Sequence, residues 1–428
     1  MLDIVFAMPK GAGRKPVPPS GRARGLHATK TTARRRRSAA GAWQPTPRAV
    51  SDSASTDCTE DAVIQTRFEP RYPTINALGV LDNPNLAGEF AADVADLDGL
   101  GHISGTRSID ARALADARSA GLSAVNITLG HVAGSGDAFC ETVRDITGWN
   151  AFLAQHAGAL RRVLHVSDIA EAAAAGQVGV IYGFQNTEML GRELDRVRLF
   201  AKMGVRVIQL TYNGRNAVGD GATVTDDQGL TRFGGEVVER LQSEGVLVDL
   251  SHSSEKTCLD ALWLAKRPLA ITHSACRAVA DHPRNKSDAE LRLLAERGGV
   301  LGLYFMPYLR LAGQPMAADL VAHLEHAIDV CGEDHVGLGT DGGTTTHDDM
   351  TAYRRRLEDE IAQRRRLGIG APGETADVVT FLPDLCGPTQ FQRLADLLAA
   401  RGHGAGRIEK ILGGNFRRLM NEAWDTPH

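Results

Sequence analysis

Residues 245–273 run Gly-Val-Leu-Val-Asp-Leu-Ser-His-Ser-Ser-Glu-Lys-Thr-Cys-Leu-Asp-Ala-Leu-Trp-Leu-Ala-Lys-Arg-Pro-Leu-Ala-Ile-Thr-His. The pattern changes twice. Val246–Leu250 is a short apolar run of strand length, Glu255–Lys266 is a helical stretch, and Leu269–Thr272 returns to strand character. Strand, helix and strand within about thirty residues is the unit that builds a parallel sheet.

Outward from this unit the alternation recurs. Eight strand runs stand out: Thr74–Leu81, Ser123–Leu129, Val178–Phe184, Val207–Leu210, Val246–Leu250, Leu269–Thr272, Val300–Tyr304 and Val336–Gly339. Helical stretches between them include Ser108–Ala120, Glu193–Met203, Gly235–Ser243, Glu255–Lys266, Ser287–Arg297 and Ala317–Val330. Ser287 followed by Glu290 is a capping-box start. Gly204, Gly245 and Gly298 fall where a helix end wants glycine. Eight strand–helix alternations predict an α/β fold of the (β/α)8 TIM-type barrel. No sequence period of 20–50 residues is present, which excludes a solenoid.

Chemistry in such barrels sits at the C-terminal ends of the strands. The residues there include Gln185 after the third run and Tyr212 after the fourth. The fifth leads to Asp249 and His252, the sixth to His273 and the eighth to Asp341. Two histidines and an aspartate on strands five, six and eight form a candidate metal and proton-transfer set.

The chain has 428 residues, 43% hydrophobic and 23% charged, the balance of a globular protein with a large core. No run of about 18 apolar residues occurs, so no membrane span is expected. Six scattered cysteines without a C-x-x-C pair point to thiols in a reducing, cytoplasmic setting. The net charge of −4 hides an asymmetry. Residues 1–50 carry eleven Lys/Arg against Asp3, which leaves the rest near −14. This basic, proline-rich start cannot bury enough surface to fold alone. Residues 1–64 are therefore expected to form a disordered tail, and residues 65–428 the barrel. The acidic body gives no support for a nucleic-acid partner. An insertion at about 342–380 carries the alternating-charge segment Tyr353–Arg366, either a solvated helix or a lid or subunit contact.

Five segments resemble the renal, or membrane, dipeptidase family of zinc dipeptidases. They are Leu210-Thr-Tyr-Asn213, Val248-Asp-Leu-Ser-His-Ser253, Ile271-Thr-His-Ser-Ala275 extended by His282-Pro-Arg-Asn285, His335-Val-Gly-Leu-Gly-Thr-Asp-Gly342 and Ile411-Leu-Gly-Gly-Asn-Phe416. Each alone is weak, but five in the family's order are specific. The resemblance implies an amidohydrolase-like barrel that hydrolyses a dipeptide or similar small amide through metal-activated water. It assigns His252 and His273 to a zinc ion, Asp341 to proton transfer and Arg284 to the substrate carboxylate. Tyr212 stands where the family has a substrate-binding histidine, and Gln185 where it has a bridging glutamate. Leu78 and Val80 stand where it has a His-x-Asp pair.

A glutamine is a neutral, weak ligand, and Leu78 and Val80 cannot ligate. The expectation is zinc at one ion per chain at most, on His252, His273 and, weakly, Gln185. Two alternatives stay open: a catalytically silent barrel that binds a small ligand or partner, and a one-metal hydrolase of a lactone or cyclic amide. A homodimer is an open possibility for assembly. Asp82, Glu188 and the His347–Asp349 pair are expected to be solvated, and His323 and His326 to lie on the surface.

Overall fold

The computed structural model describes residues 73–86, the backbone of Gly99–Leu100, and residues 108–425. The predicted tail, residues 1–64, lies outside them.

Eight parallel strands follow one another around the molecule. They are β1 (Thr74–Asn76), β2 (Leu122–Thr128), β3 (Val178–Phe184), β4 (Val205–Gln209), β5 (Leu247–Asp249), β6 (Ala270–Ser274), β7 (Val300–Leu303) and β8 (Val336–Leu338). Each pairs in parallel with the next. A short extra strand, Leu160–Arg162, joins the start of β3. Between β8 and β1 a few bonds close the ring. The Ala77 N–H donates to the Leu338 carbonyl at 2.9 Å, and the Asp341 N–H to that of Leu78 at 3.0 Å. The Asn76 amide exchanges two 2.8 Å bonds with Thr340. The molecule is a (β/α)8 barrel, as the alternation predicts.

Most predicted runs match their strands to within about two residues. The first is the exception, because the ladder stops at Asn76. Beyond it the chain bonds to both neighbours in turn, through Ala77 to β8 and through Gly79 to the Asn126 carbonyl. Gly79 is required there: a Cβ would sit 2.1 Å from the Asn76 amide nitrogen.

Strand period sorts the core into two clusters. Val125 and Ile127 of β2 pack with the helices, whereas Ala124 joins an inner cluster. That inner cluster takes Leu247, Ala270 and Val300 from the strand starts and adds Phe416, Leu419, Met420 and Trp424 from the last helix, Asn415–Trp424. The Trp424 indole N–H donates to the Arg206 carbonyl at 3.0 Å. The N-terminal end of the barrel is thereby plugged, and chemistry is left to the other end. The predicted capping box forms at Ser287 and Glu290, and Gly204, Gly245 and Gly298 all have positive φ.

Within the insertion, the helix Met350–Arg366 buries Tyr353, Leu357 and Ile361, one residue every turn. They pack on Val379 and Phe381. The following turn reaches over the barrel mouth. The Asn213 amide donates to the Ile369 carbonyl at 2.7 Å, His282 Nε2 to that of Pro372 at 2.9 Å, and the Tyr308 hydroxyl to Glu374 at 2.8 Å. No helix among the described residues is long and apolar enough to cross a membrane.

Candidate active site

β5 ends at Asp249 and turns through Ser251 to His252; β6 carries His273 near its end. Both rings are buried. Their Nε2 atoms face each other at 3.0 Å. The other ring nitrogens decide where the protons are. His252 Nδ1 lies 2.7 Å from the Asn213 carbonyl oxygen. Because the Asn213 nitrogen is committed to Ile369, that oxygen must accept, so Nδ1 carries the hydrogen. His273 Nδ1 lies 2.9 Å from the Thr272 hydroxyl, whose own proton goes to Asp249 at 2.6 Å. That hydroxyl accepts from His273 Nδ1–H. Asp249 also accepts from the N–H groups of Ser251 and Thr272 and from the Ser251 hydroxyl, bonds that oppose the burial raising its carboxyl.

Both Nε2 atoms therefore turn lone pairs toward each other with no proton between them. Two nitrogens bound to one tetrahedral zinc at ~2.0–2.1 Å would stand about 3.3 Å apart. The observed separation is close to that distance. Burial, and then the nearby Arg284 and Lys286, push both imidazoles well below the ordinary histidine range, so the rings stay neutral.

The Tyr212 ring stacks on His252, centroids 4.1 Å apart at 19°, and burial pushes its hydroxyl up to about 12. Arg284 is 2% exposed and gives Nη1 to the Ser251 carbonyl at 2.6 Å. Asp341 follows β8 with φ 56°, the one non-glycine residue with positive φ among those described. Burial raises its carboxyl to about 6 against the pull of Arg284 and Arg364.

Gln185 turns its amide nitrogen to the Thr128 hydroxyl at 2.6 Å. Leu78 is buried, while Val80 is 43% exposed. Among the described residues no group of three or more His, Cys, Asp or Glu could hold a metal. Neither Asp341 nor any other described acid completes the histidine pair to three. The histidine pair offers two donors toward one ion, and the residues at the other positions do not fit a two-ion centre.

The family model described as membrane dipeptidase, peptidase family M19, matches residues 110–367. The chain belongs to the membrane dipeptidase family. Dipeptidase verJ of Clonostachys rogersoniana is 31% identical over 177 residues, 41% of this chain and 46% of that protein. Dipeptidase tcpJ of Claviceps purpurea is 27% identical over 256 residues, 59% of this chain and 52% of that protein. The chain spans about half the length of these curated relatives. A solved amidohydrolase from Pseudomonas aeruginosa superposes with a TM-score of 0.67 at 26% identity, covering 84% of this chain and 98% of that one.

In this member of the membrane dipeptidase family, His252, His273, Tyr212 and Arg284 gather in one cluster, and Asp341 feels the Arg284 charge. Gln185 faces Thr128. Glu188 is exposed and lies 3.6 Å from His131 Nε2, away from the pair. Three expectations need correction. His323 is fully buried, not on the surface: it shares a helix face with Leu320, Leu324 and Ala327. Its Nδ1 accepts from the Cys276 N–H, and its Nε2 donates to the Leu309 carbonyl. His347 is not simply solvated, because it stacks on Phe381 with centroids 4.9 Å apart. Asp82 is half-buried, and its carboxylate meets only its own backbone N–H among the described residues; burial raises it to about 6.

Asn213, Thr272 and Asp249 orient the imidazoles and were not singled out for that role from sequence. The signal was present, since all three lie in or beside the segments that carry the resemblance.

Proposed function

We propose that the chain hydrolyses a dipeptide or similar small amide at this mouth. The observation that carries the reading is the facing pair of Nε2 lone pairs on His252 and His273, each ring held by a hydrogen bond from Nδ1. Its membership of a dipeptidase family supports the same chemistry. His252 and His273 would hold one zinc, which when bound supplies Lewis acidity toward the amide carbonyl.

The other steps belong to the chain itself. Asp341, whose carboxyl lies near 6, accepts a proton from the attacking water and delivers it to the leaving amine. Arg284 has committed only Nη1 to the backbone, so its remaining donors can clamp the substrate carboxylate. Tyr212 fixes the plane of His252 and walls the substrate side. The insertion, tied down through Asn213 and His282, excludes water from the mouth.

Asp341→Asn tests this reading. It should keep the fold and zinc uptake while lowering kcat on a responsive dipeptide by about 10²–10⁴-fold. The changes at Leu78, Val80 and Gln185 favour a second reading, a silent ligand-binding barrel. That reading requires that wild-type protein turn over no dipeptide, lactone or cyclic amide, with or without added zinc. Turnover of a lactone or cyclic amide alone would move the assignment to a one-metal, non-peptide hydrolase.

A further inference from the structure

Beside Asp341 lies a cavity of about 210 Å³ that none of His252, His273, Tyr212 or Arg284 lines. Its walls include Asp82, Asp341, Tyr353, Arg356, Glu360 and Phe381. Three carboxylates and one guanidinium line it; Glu360 also pairs with Arg364 at 3.5 Å, and the Arg356 guanidinium gives Nη2 to the Pro84 carbonyl at 3.0 Å, which leaves Asp82 and Asp341 as the acids without an ion pair among the described residues. His347 also lines the cavity, and burial holds it down to about 4, so it adds no positive charge.

Two further observations point to a polar ligand. Thr345 lines the cavity, is only 7% exposed, and its hydroxyl oxygen has no hydrogen-bond partner. The Asp341 carboxylate has no hydrogen-bond or ion-pair partner among the described residues, and that of Asp82 meets only its own backbone N–H. Asp82 Oδ1 is held against the loop that carries Asp341, since a Cβ on Gly343 would come 3.3 Å from it.

The acids do not converge on one point, because no described group of three could hold a metal. An occupant that answers spread negative charge beside aromatic rings is an organic cation with an apolar stem, which Tyr353 and Phe381 can flank. Arg284, which meets the substrate carboxylate, does not line this space. The cavity therefore serves the other end of the substrate.

Building on the hydrolase reading, we propose that this cavity receives a basic side chain on the amino-terminal residue of the substrate, with Asp82 as the specificity-determining acid. Its volume accommodates a butylammonium arm of five heavy atoms.

The test compares Lys-Ala with Leu-Ala on the zinc-loaded full chain. Wild type should show a kcat/KM at least about tenfold higher for Lys-Ala, the size of one charge-assisted contact. Asp82→Asn should lose that preference through a fall in kcat/KM for Lys-Ala; Glu360→Gln, on a different element, should weaken it. Separately, calorimetry with n-butylamine measures the cavity without turnover, and Asp82→Asn should weaken binding by about tenfold. If neither peptide is cleaved but amine binding depends on Asp82, the cavity stands and the hydrolase reading falls. Turnover without a preference for Lys-Ala overturns the proposal, as does an absence of turnover combined with amine binding that ignores Asp82.

Discussion

Around β5 and β6 the barrel mouth uses a carboxylate, two hydroxyls and an amide to hold two imidazoles; around β1 and β3 it offers Leu78, Val80 and a glutamine turned to Thr128. On the first side the surrounding charge is positive, from Arg284 and Lys286, and the rings are neutral donors of lone pairs. On the second, the Asp82 and Asp341 carboxylates have no ion pair among the described residues. One half offers directed lone pairs, the other only carboxylate charge. A metal needs direction, whereas an ammonium group needs little more than charge and a fitting wall. The difference teaches that losing the ligands of one half need not empty that half of function.

The largest expected effect comes from breaking the ordered half. His273→Ala should weaken zinc binding by more than about 100-fold, beyond the usual cost of removing a supporting partner; equilibrium dialysis measures it. Gln185→Ala should leave zinc affinity unchanged, and a comparable loss there would erase the contrast.

The opposite manoeuvre rebuilds the other half. Leu78→His, Val80→Asp and Gln185→Glu together should raise bound zinc from one to two per chain by elemental analysis. A folded triple variant that still binds one would show that β1 is not placed to ligate.

A smaller loss should follow from removing orientation alone. Asn213→Ala leaves His252 Nδ1 without its acceptor and should cost about 10–100-fold in zinc affinity. Rescue by Asn213→Asp, which keeps an acceptor, would separate orientation from packing.

The pH profile offers the gentlest test. Burial holds the Asp341 carboxyl near 6, and a base must be ionised, so kcat/KM should rise about tenfold per pH unit up to about 6 and flatten above it. Both histidines are pushed below their ordinary range and lose no function as pH rises. The limb should vanish in Asp341→Asn.

The barrel was legible because its signals are local. Val178–Phe184 reads as a strand from seven residues, and the Ser287–Glu290 box needs only four. β1 was harder, since its end is set by contacts with Asn126 and Leu338, distant in the chain. The histidines of the site were equally legible from their short segments. Their tautomers were not, because these depend on Asn213 being tied to Ile369 and on Thr272 being tied to Asp249. Asp82 and His323 were misjudged for a similar reason: residue type suggests exposure, but the packing of the insertion and of the helix Ala317–Cys331 decides it.

The left-handed backbone at Asp341 also sets which replacements that position can tolerate. Residues with a Cβ pay roughly 1–2 kcal/mol there, and glycine, asparagine and aspartate are the usual visitors. Substitutions at 341 are thus filtered first by conformation and only then by chemistry. Asparagine and glycine suit the turn and lose the proton acceptor. Glutamate keeps a carboxylate but suits the turn poorly, so the change that looks most conservative on paper is the one the fold resists.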